Sequence, residues 1–502
     1  MNRCRVPRTS WSPVVALGLL FLPSLAAAQD LASFEKRITV KALDNGLTFV
    51  VCERPEAPVF SFFTYAAVGS AQEVSGITGI AHMFEHMAFK GTDVIGTNNY
   101  TEEARALERV EQMYTAYQAE RQRQPKPDPA RVAEAEKAWK DAIEAAGKYV
   151  VSNEFGDIVQ RAGGVGLNAF TSADNTGYFY SLPSNRLELW AYLESERFLR
   201  PVFREFYKER DVVKEERRLG ESEPIGRLIE QFGATAFTAH PYHHPTIGWM
   251  SDLDSFSATD ARKFYDTYYA PSNMTVTVVG DVKASEVLQL AEKYFGRLPR
   301  KPAPAPLRTV EPPQNAEKEV RLHEEAQPIY AEGYHKPSAF DPDEAVYAAI
   351  SDILSNGRVS RLYRSLVRDK KIAAFAGGFP GYPGTKYPNL FIFFAVPTPG
   401  HSGEEVRDAI RAEIVRLKTE DVTDEELRMV KTRAKANLIR GLGDNEGLAF
   451  GLGSAQGLHG DWRELFREVD RIDKVTKADI RRIANTTFTD SNRTVGMIIT
   501  KG

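Results

Sequence analysis

The sequence of 502 residues, 42% hydrophobic and 26% charged, has the composition of a globular protein and is long enough for two or more domains. Its formal net charge of −4 gives no reason to expect nucleic acid or an anionic membrane surface as a partner. It contains neither a P-loop nor a dinucleotide-binding fingerprint, so the common nucleotide-binding folds are not indicated.

Residues 1–28 are predicted to form a signal peptide. Three arginines precede an apolar run at residues 14–22, and the alanines at 26–28 supply a cleavage site. The apolar run is too short for a membrane anchor, which needs about twenty residues. We therefore expect export, to the periplasm or alternatively by secretion, and no membrane span after cleavage. Loss of the three arginines would change the charge from −4 to −7 and leave Cys52 as a single cysteine, without an internal disulfide.

The segments that follow are typical of β-strands and then of helices. Residues 37–43 and 47–51 flank a turn signal, and residues 58–68 indicate a third strand. Residues 101–147 contain two runs of helical spacing separated by three prolines, which break a helix. This pattern predicts a helical hairpin inserted in the first half of the chain. It is interpreted either as a solvated arm with one packed stripe or as a gate for substrate.

A proline-rich stretch divides the chain. Five prolines lie between Pro302 and Pro313 in a polar context, which is typical of a semi-rigid linker. We predict an N-terminal catalytic domain at residues 29–300, a linker at 301–316 and a C-terminal domain at 317–502. Strand and helix patterns alternate in both halves, so both are predicted to be α+β.

The motif at residues 82–86, His-Met-Phe-Glu-His, indicates metal chemistry. In a helix, His82 and His86 lie one turn apart on the same face and can bind one ion. Zinc accepts two such ligands, and Glu85 beside them can take a proton from an attacking water. The order of residues is a known inverted zinc-protease signature. Two ordinary histidines on an amphipathic helix are the alternative, although a metal would satisfy three polar groups among apolar neighbours.

A catalytic zinc also needs a third protein ligand. Residues 204–219 are predicted to form a helix in which Glu209 and Glu216 belong to an apolar stripe with Val212, Val213 and Leu219. A salt-bridged helix face is the alternative for both carboxylates, because four basic residues are adjacent: Arg210, Lys214, Arg217 and Arg218. Helical spacing alone does not decide between a ligand and an ion pair at Glu216.

These residues resemble the pitrilysin/insulinase family of zinc peptidases, and within it the bacterial members similar to mitochondrial processing peptidase. The segments that carry the resemblance are 44–47, 68–70, 78–92, 167–171, 209–216, 240–242, 247–249, 269–273 and 279–282. A looser match continues in the second half at 360–368. The resemblance implies an α+β protein of two homologous α/β sandwich domains of the processing-peptidase-like metallohydrolase fold, with the helical hairpin inserted in the first.

The resemblance also implies an activity, that of a zinc endopeptidase with one Zn²⁺ per chain and a peptide substrate. The implied zinc ligands are His82, His86 and Glu216. Glu85 would act as general base, and Glu209 would support the site from behind the ligands. The implied substrate-binding residues are Asn168, Ala169 and Phe170, in a strand that would pair with an extended peptide, and Arg368 in the second half.

The chain departs from the family pattern in two places. The gap between His86 and Glu216 is longer than usual, which the hairpin explains as an insertion. Many relatives have a tyrosine seven residues after the arginine, where this chain has Phe375, which cannot donate a hydrogen bond.

Partners and an alternative function follow from the same resemblance. Relatives of this length enclose substrate in a closed chamber of four such domains, so we expect a homodimer or a heterodimer with a related non-catalytic subunit that supplies the tyrosine. The alternative function is a catalytically silent scaffold or assembly subunit of the same fold. Retention of His82, Glu85, His86 and Glu216 together favours the enzyme.

Overall fold

The computed structural model describes residues 31–501. The predicted signal peptide lies outside the described residues. The strands are β1 (Ile38–Ala42), β2 (Thr48–Glu53), β3 (Val59–Ala66), β4 (Val165–Thr171), β5 (Thr176–Pro183), β6 (Met274–Gly280), β7 (Lys318–Glu324), β8 (Ile329–Lys336), β9 (Ala373–Tyr382), β10 (Asn389–Pro397) and β11 (Arg493–Thr500).

Seventeen α-helices accompany these strands within the described residues. They are α1 (Leu31–Glu35), α2 (Ile80–Met87), α3 (Tyr100–Arg121), α4 (Pro129–Gly147), α5 (Glu154–Arg161), α6 (Leu187–Leu199), α7 (Phe206–Ser222), α8 (Pro224–Ala236), α9 (Met250–Leu253), α10 (Ala258–Tyr268), α11 (Ala284–Tyr294), α12 (Glu344–Ser355), α13 (Gly403–Thr419), α14 (Asp424–Gly441), α15 (Asn445–His459), α16 (Glu464–Lys474) and α17 (Lys477–Thr487). In the part of the chain that is described, none of them is both long and apolar enough to cross a bilayer.

The two halves of the chain repeat one sheet topology. The first sheet has the strand order β1-β2-β6-β3-β5-β4, and the second has the order β7-β11-β8-β10-β9. In both sheets the first and last strands of the repeat pair in parallel, β2 with β6 and β7 with β11, and the remaining pairs are antiparallel. The prediction of two domains of one α+β type is confirmed, with β4 and β9 in equivalent edge positions.

Several elements agree with their predictions from sequence. The three N-terminal strands are present, and residues 298–317 contain neither helix nor strand. The predicted hairpin is formed by α3 and α4, which pack against each other along their length. Its packed stripe includes Tyr114 and Trp139, which are buried against the first domain. That the hairpin is an insertion relative to the family stays a prediction.

Each sheet is covered on one face by a helix from the opposite half of the chain. Helix α15 lies on β3 and β6 of the first sheet, where Leu448 and Leu452 are buried beside Phe63 and Tyr65. Helix α8 lies on β7 and β11 of the second sheet and buries Leu228 there. Side chains alternate between the two faces of a strand, so the contact with α15 lies on the face of the first sheet opposite the one that α2, α6 and α11 cover.

Helices α8 and α15 are thus exchanged between the two halves of the chain. In this exchange α15 approaches the first sheet very closely. A Cβ atom on Gly453 of α15 would come within 2.7 Å of the ring of Phe63, so the helix can approach β3 only with a glycine at this position. Because of the exchange, neither half buries both faces of its own sheet by itself. The limits 29–300 and 317–502 remain a prediction.

Substitution of Leu452 tests the exchange. Leu452→Ala removes a fully buried side chain between α15 and the first sheet, and we expect it to lower the free energy of unfolding by about 2–5 kcal/mol. Hydrogen exchange should become faster in β3 and β6 although the substitution lies in the other half of the sequence. Ile439→Ala in α14 is the control, because Ile439 is 58% exposed. Equal effects of the two substitutions in urea denaturation would contradict the described packing.

Candidate metal centre

Helix α2 begins at a tightly constrained glycine. Gly79 has a φ of 90°, and a Cβ there would lie 2.4 Å from the carbonyl oxygen of Ile247. The buried carboxylate of Glu73 accepts hydrogen bonds from the backbone N–H groups of Gly79 and Ala81, at 2.9 and 2.8 Å. Backbone N–H groups at a helix start have no partner within the helix, and a carboxylate is favoured there. Glu73 therefore fixes where α2 starts and, with it, which face carries the motif.

Two histidines of α2 and one glutamate of α7 come together. The carboxylate oxygens of Glu216 lie 3.8 Å from His82 Nε2 and 3.7 Å from His86 Nε2. One ligand atom from each of the three residues lies within 4.8 Å of the others. Ligands bound to a tetrahedral zinc at its usual bond lengths are roughly 3.3 Å apart. The donor set and its spacing therefore fit a zinc ion after small side-chain movements.

The buried face of α7 differs from the predicted one. The expected apolar stripe included Val212 and Leu219, but these side chains are 51% and 70% exposed. This part of the prediction was wrong because other residues of α7 supply the buried face, namely Phe206, Tyr207, Arg210, Val213 and Arg217. Two arginines thus occupy positions that hydrophobic periodicity assigns to the exposed side.

The adjacent arginines do not pair with the two carboxylates. Arg217 pairs with Glu221 and Glu230, and Arg210 donates to the Tyr114 hydroxyl group and to a backbone carbonyl. Lys214 pairs with Asp211 and Asp254, and Arg218 pairs with Glu215. The structure thus contradicts the alternative in which these four adjacent basic residues neutralise Glu209 and Glu216. Both carboxylates are directed toward the histidines instead.

Glu209 contacts the side of His86 that faces away from Glu216. Its Oε1 atom lies 3.0 Å from His86 Nδ1, and its Oε2 atom lies 2.6 Å from Lys90 Nζ. Burial opposes ionisation of Glu209, but the hydrogen bonds from His86 and Lys90 outweigh it and lower its pKa to about 2. An ionised Glu209 favours the tautomer of His86 that carries its proton on Nδ1, and in the neutral imidazole this leaves the Nε2 lone pair facing Glu216 and available to a metal.

The other two motif residues have pKa shifts that suit their positions. Burial, followed by the charge of His86, lowers the pKa of His82 to about 4, so this imidazole is neutral near pH 7 and can donate a lone pair. Burial raises the pKa of Glu85, and the neighbouring Thr171 offsets part of this shift. A raised carboxyl pKa brings Glu85 closer to the range in which a side chain exchanges protons near neutral pH.

A cavity of about 460 Å³ opens beside Glu85 and His86. Asn168 of the edge strand β4 lines one side of it, and the segment 150–153, which follows the hairpin, lines another. The backbone N–H of Val151 donates to the carbonyl of Gly96, which holds this segment against the loop that follows α2. The segment after the hairpin therefore forms part of the wall next to the candidate metal ligands.

The remaining predicted substrate-binding residues lie in two environments. Ala169 is buried in β4, and the ring of Phe170 packs among aromatic rings, those of Phe63, Phe179 and Phe450. Any contact of Phe170 with a peptide is thus left to its backbone. Arg368 is exposed and pairs with its neighbour Asp369 at 2.6 Å. Phe375 is 52% exposed on the edge strand β9.

Three residues around the cluster were not assigned a role from sequence. Lys90 belongs to the motif segment and Thr171 to the β4 segment. Their nearness in the sequence to predicted site residues could therefore have marked both as part of the site. Glu73 lies nine positions before His82, where no local pattern marks it as the partner of a helix start.

The sequence matches two family models. Residues 50–123 match the model described as "Insulinase (Peptidase family M16)", and residues 255–434 match "Peptidase M16 inactive domain". The chain belongs to the peptidase M16 (insulinase) family. The predicted resemblance is confirmed by these matches.

Named relatives of this M16 chain cover it almost completely. "Zinc protease PqqE" of Helicobacter pylori is 29% identical over 96% of this chain and 97% of its own length. The "Probable mitochondrial-processing peptidase subunit beta" of Arabidopsis thaliana is 23% identical over 95% of this chain and 81% of its own length. Among solved structures, a protease from Helicobacter pylori matches with a TM-score of 0.76 and 28% identity, covering 93% of this chain and 99% of that one.

Substitution of Glu73 tests the fixed start of α2. Glu73→Ala leaves two buried N–H groups without a partner, and we expect it to destabilise the metal-free protein by about 1–3 kcal/mol in urea denaturation. The control is Glu425→Ala, also at a helix start, where the side chain is 73% exposed. An effect of Glu73→Ala no larger than that of the control would show that the backbone contacts of Glu73 are unimportant.

Proposed function

We propose that this M16 chain is an exported zinc endopeptidase that hydrolyses peptides or unfolded polypeptide segments inside a closed chamber. The observation that carries the proposal is the convergence of His82, His86 and Glu216, with Glu85 on the same helix as the histidines. The names of the relatives support zinc as the ion and peptide bonds as the target. Export rests on the predicted signal peptide.

His82, His86 and Glu216 would hold the zinc ion, and Glu209 would orient His86. A bound zinc supplies Lewis acidity at the scissile carbonyl and lowers the pKa of water. Glu85 accepts the proton of the attacking water and then delivers it to the nitrogen of the leaving amine. Its raised pKa makes the carboxylate a stronger base, which favours the first of these transfers.

The edge strand β4 is the proposed docking site for the substrate. Because β4 is the last strand of its sheet, no other strand of the described sheet pairs with its outer edge, where an extended peptide would be added. Asn168 lies in β4 and lines the cavity next to Glu85. A peptide added to this edge would therefore pass beside the proposed base.

A second chain of the same fold would complete the chamber. The side chain of Glu216 is half exposed, so the cluster lies at an open surface of the single chain. Arg368 pairs with Asp369 rather than with a residue of the cluster. We propose a homodimer, or a heterodimer in which a related subunit supplies the hydrogen-bond donor that Phe375 lacks.

The alternative of a catalytically silent subunit draws on one finding. The model that matches residues 255–434 is described as an inactive domain. The proposed metal ligands lie outside this range, between residues 82 and 216, so the description concerns the part of the chain that carries none of them. The complete cluster favours the enzyme.

Glu85→Gln is expected to separate catalysis from metal binding. The amide keeps the shape of the side chain but cannot accept a proton, so peptide cleavage should fall by about 10²–10⁴-fold while bound zinc is retained. Cleavage of an unfolded polypeptide and metal analysis of the purified protein give the two readings. Cleavage at the unchanged rate would refute the role of Glu85.

Glu216→Ala is expected to weaken zinc binding, because it removes one of three protein ligands. Its neighbour provides a matched control, since Glu215 is 69% exposed and pairs with Arg218. Glu215→Gln should therefore retain zinc and activity. Competition with a chelator measures the affinity of each variant. If Glu216→Ala and Glu215→Gln bind zinc equally well, the proposed coordination is wrong.

A further inference from the structure

Helix α7 carries a pair of glutamates and a pair of arginines, and the two members of each pair are seven residues apart. Glu209 and Glu216 face the histidines, while Arg210 and Arg217 are only 3% and 4% exposed. Successive residues of an α-helix differ in direction by about 100°. The burial of each arginine therefore sets the direction in which the preceding carboxylate points.

Arg204, just before α7, connects three parts of the first domain. Its guanidinium group donates to both carboxylate oxygens of Glu103 in α3, at 2.8 and 3.0 Å. It also donates to three backbone carbonyls of the loop that follows α2, those of Lys90, Thr92 and Ile95. Arg204 is 1% exposed and Glu103 is fully buried. One buried ion pair thus joins the hairpin to the exit of α2 and to the entry of α7.

Arg210 contacts the hairpin, the ring of Tyr207 in its own helix and the backbone of Phe256. Its Nη1 atom lies 2.7 Å from the hydroxyl oxygen of Tyr114 in α3 and 2.9 Å from the carbonyl oxygen of Phe256. The guanidinium carbon lies 5.1 Å from the ring centre of Tyr114 and 5.8 Å from that of Trp139 in α4. Such cation–π contacts strengthen when the cation is buried. Both helices of the hairpin therefore contact the side chain of Arg210.

We propose that the hairpin α3–α4 braces the metal-ligating helix, with Glu103 and Tyr114 as positioning residues that act through Arg204 and Arg210. The inference deepens the proposed function and rests on it. The hairpin supplies none of the proposed ligands, yet it fixes the rotation of α7 that presents Glu209 and Glu216 to the histidines. Zinc affinity then depends on contacts behind the ligating helix.

Glu103→Gln and Tyr114→Phe test the brace without removing a proposed ligand. The first removes a buried charge, and the second removes a single oxygen atom and keeps the ring. We expect each to weaken zinc binding by about 10-fold or more, as loss of a supporting contact does in other metal sites. The affinity is measured by chelator competition well below the melting temperature of each variant. In the metal-free protein, hydrogen exchange along α7 should become faster.

Asp141→Asn is the matched control on the same hairpin. Asp141 pairs with Lys137 at 2.6 Å on the exposed side of α4, so zinc affinity and exchange in α7 should stay unchanged. A purely structural role would lower the melting temperature of Tyr114→Phe and leave its zinc affinity intact, and that result would overturn the brace. If Glu103→Gln does not fold, Tyr114→Phe decides the question by itself.

The two proposals fail in distinguishable ways. Loss of zinc in Glu216→Ala together with unchanged affinity in Tyr114→Phe refutes the brace alone. Unchanged zinc in Glu216→Ala refutes the proposed coordination, and the brace is then judged by hydrogen exchange in α7. Exchange in α7 that matches the Asp141→Asn control would refute the brace in that case as well.

Discussion

The rotational position of α7 is the constraint on which the proposed metal centre depends. Helix α2 presents its two histidines from a start that Glu73 and Gly79 determine. The third donor comes from a helix more than a hundred residues later, so its direction has to be set by tertiary contacts. Buried arginines perform this task where apolar side chains would ordinarily do so. A guanidinium group held by a fixed set of acceptors and rings permits few alternative rotations, whereas an aliphatic face slides more easily.

Much of the fold and the core of the site could be predicted from the sequence. Strand alternation, the proline break in the hairpin and the spacing of His82 and His86 are local patterns, and local patterns report local structure. Glu209 and Glu216 were recognised as candidates by their place in a helical stripe and by the family resemblance, but the buried face of their helix was assigned wrongly. Hydrophobic periodicity cannot find a helix face that is buried through Arg210 and Arg217, because their partners lie on distant elements.

The exchange of α8 and α15 was equally beyond the reach of the sequence. Both helices have apolar faces, and an apolar face indicates that a helix is covered without indicating by what. Gly453 was a local sign of close packing, but its contact, the ring of Phe63, lies nearly four hundred positions earlier. The repeated topology of the two sheets explains why the exchange is reciprocal. The helix that follows α7 and the helix that follows α14 take the same route onto the opposite sheet.

The reciprocal exchange also sets an order of events during synthesis. One face of the first sheet stays uncovered until residues 445–459 have left the ribosome, so the first half of the chain cannot finish folding while the rest is being made. The packing of the first half is therefore completed only after about nine tenths of the chain has emerged.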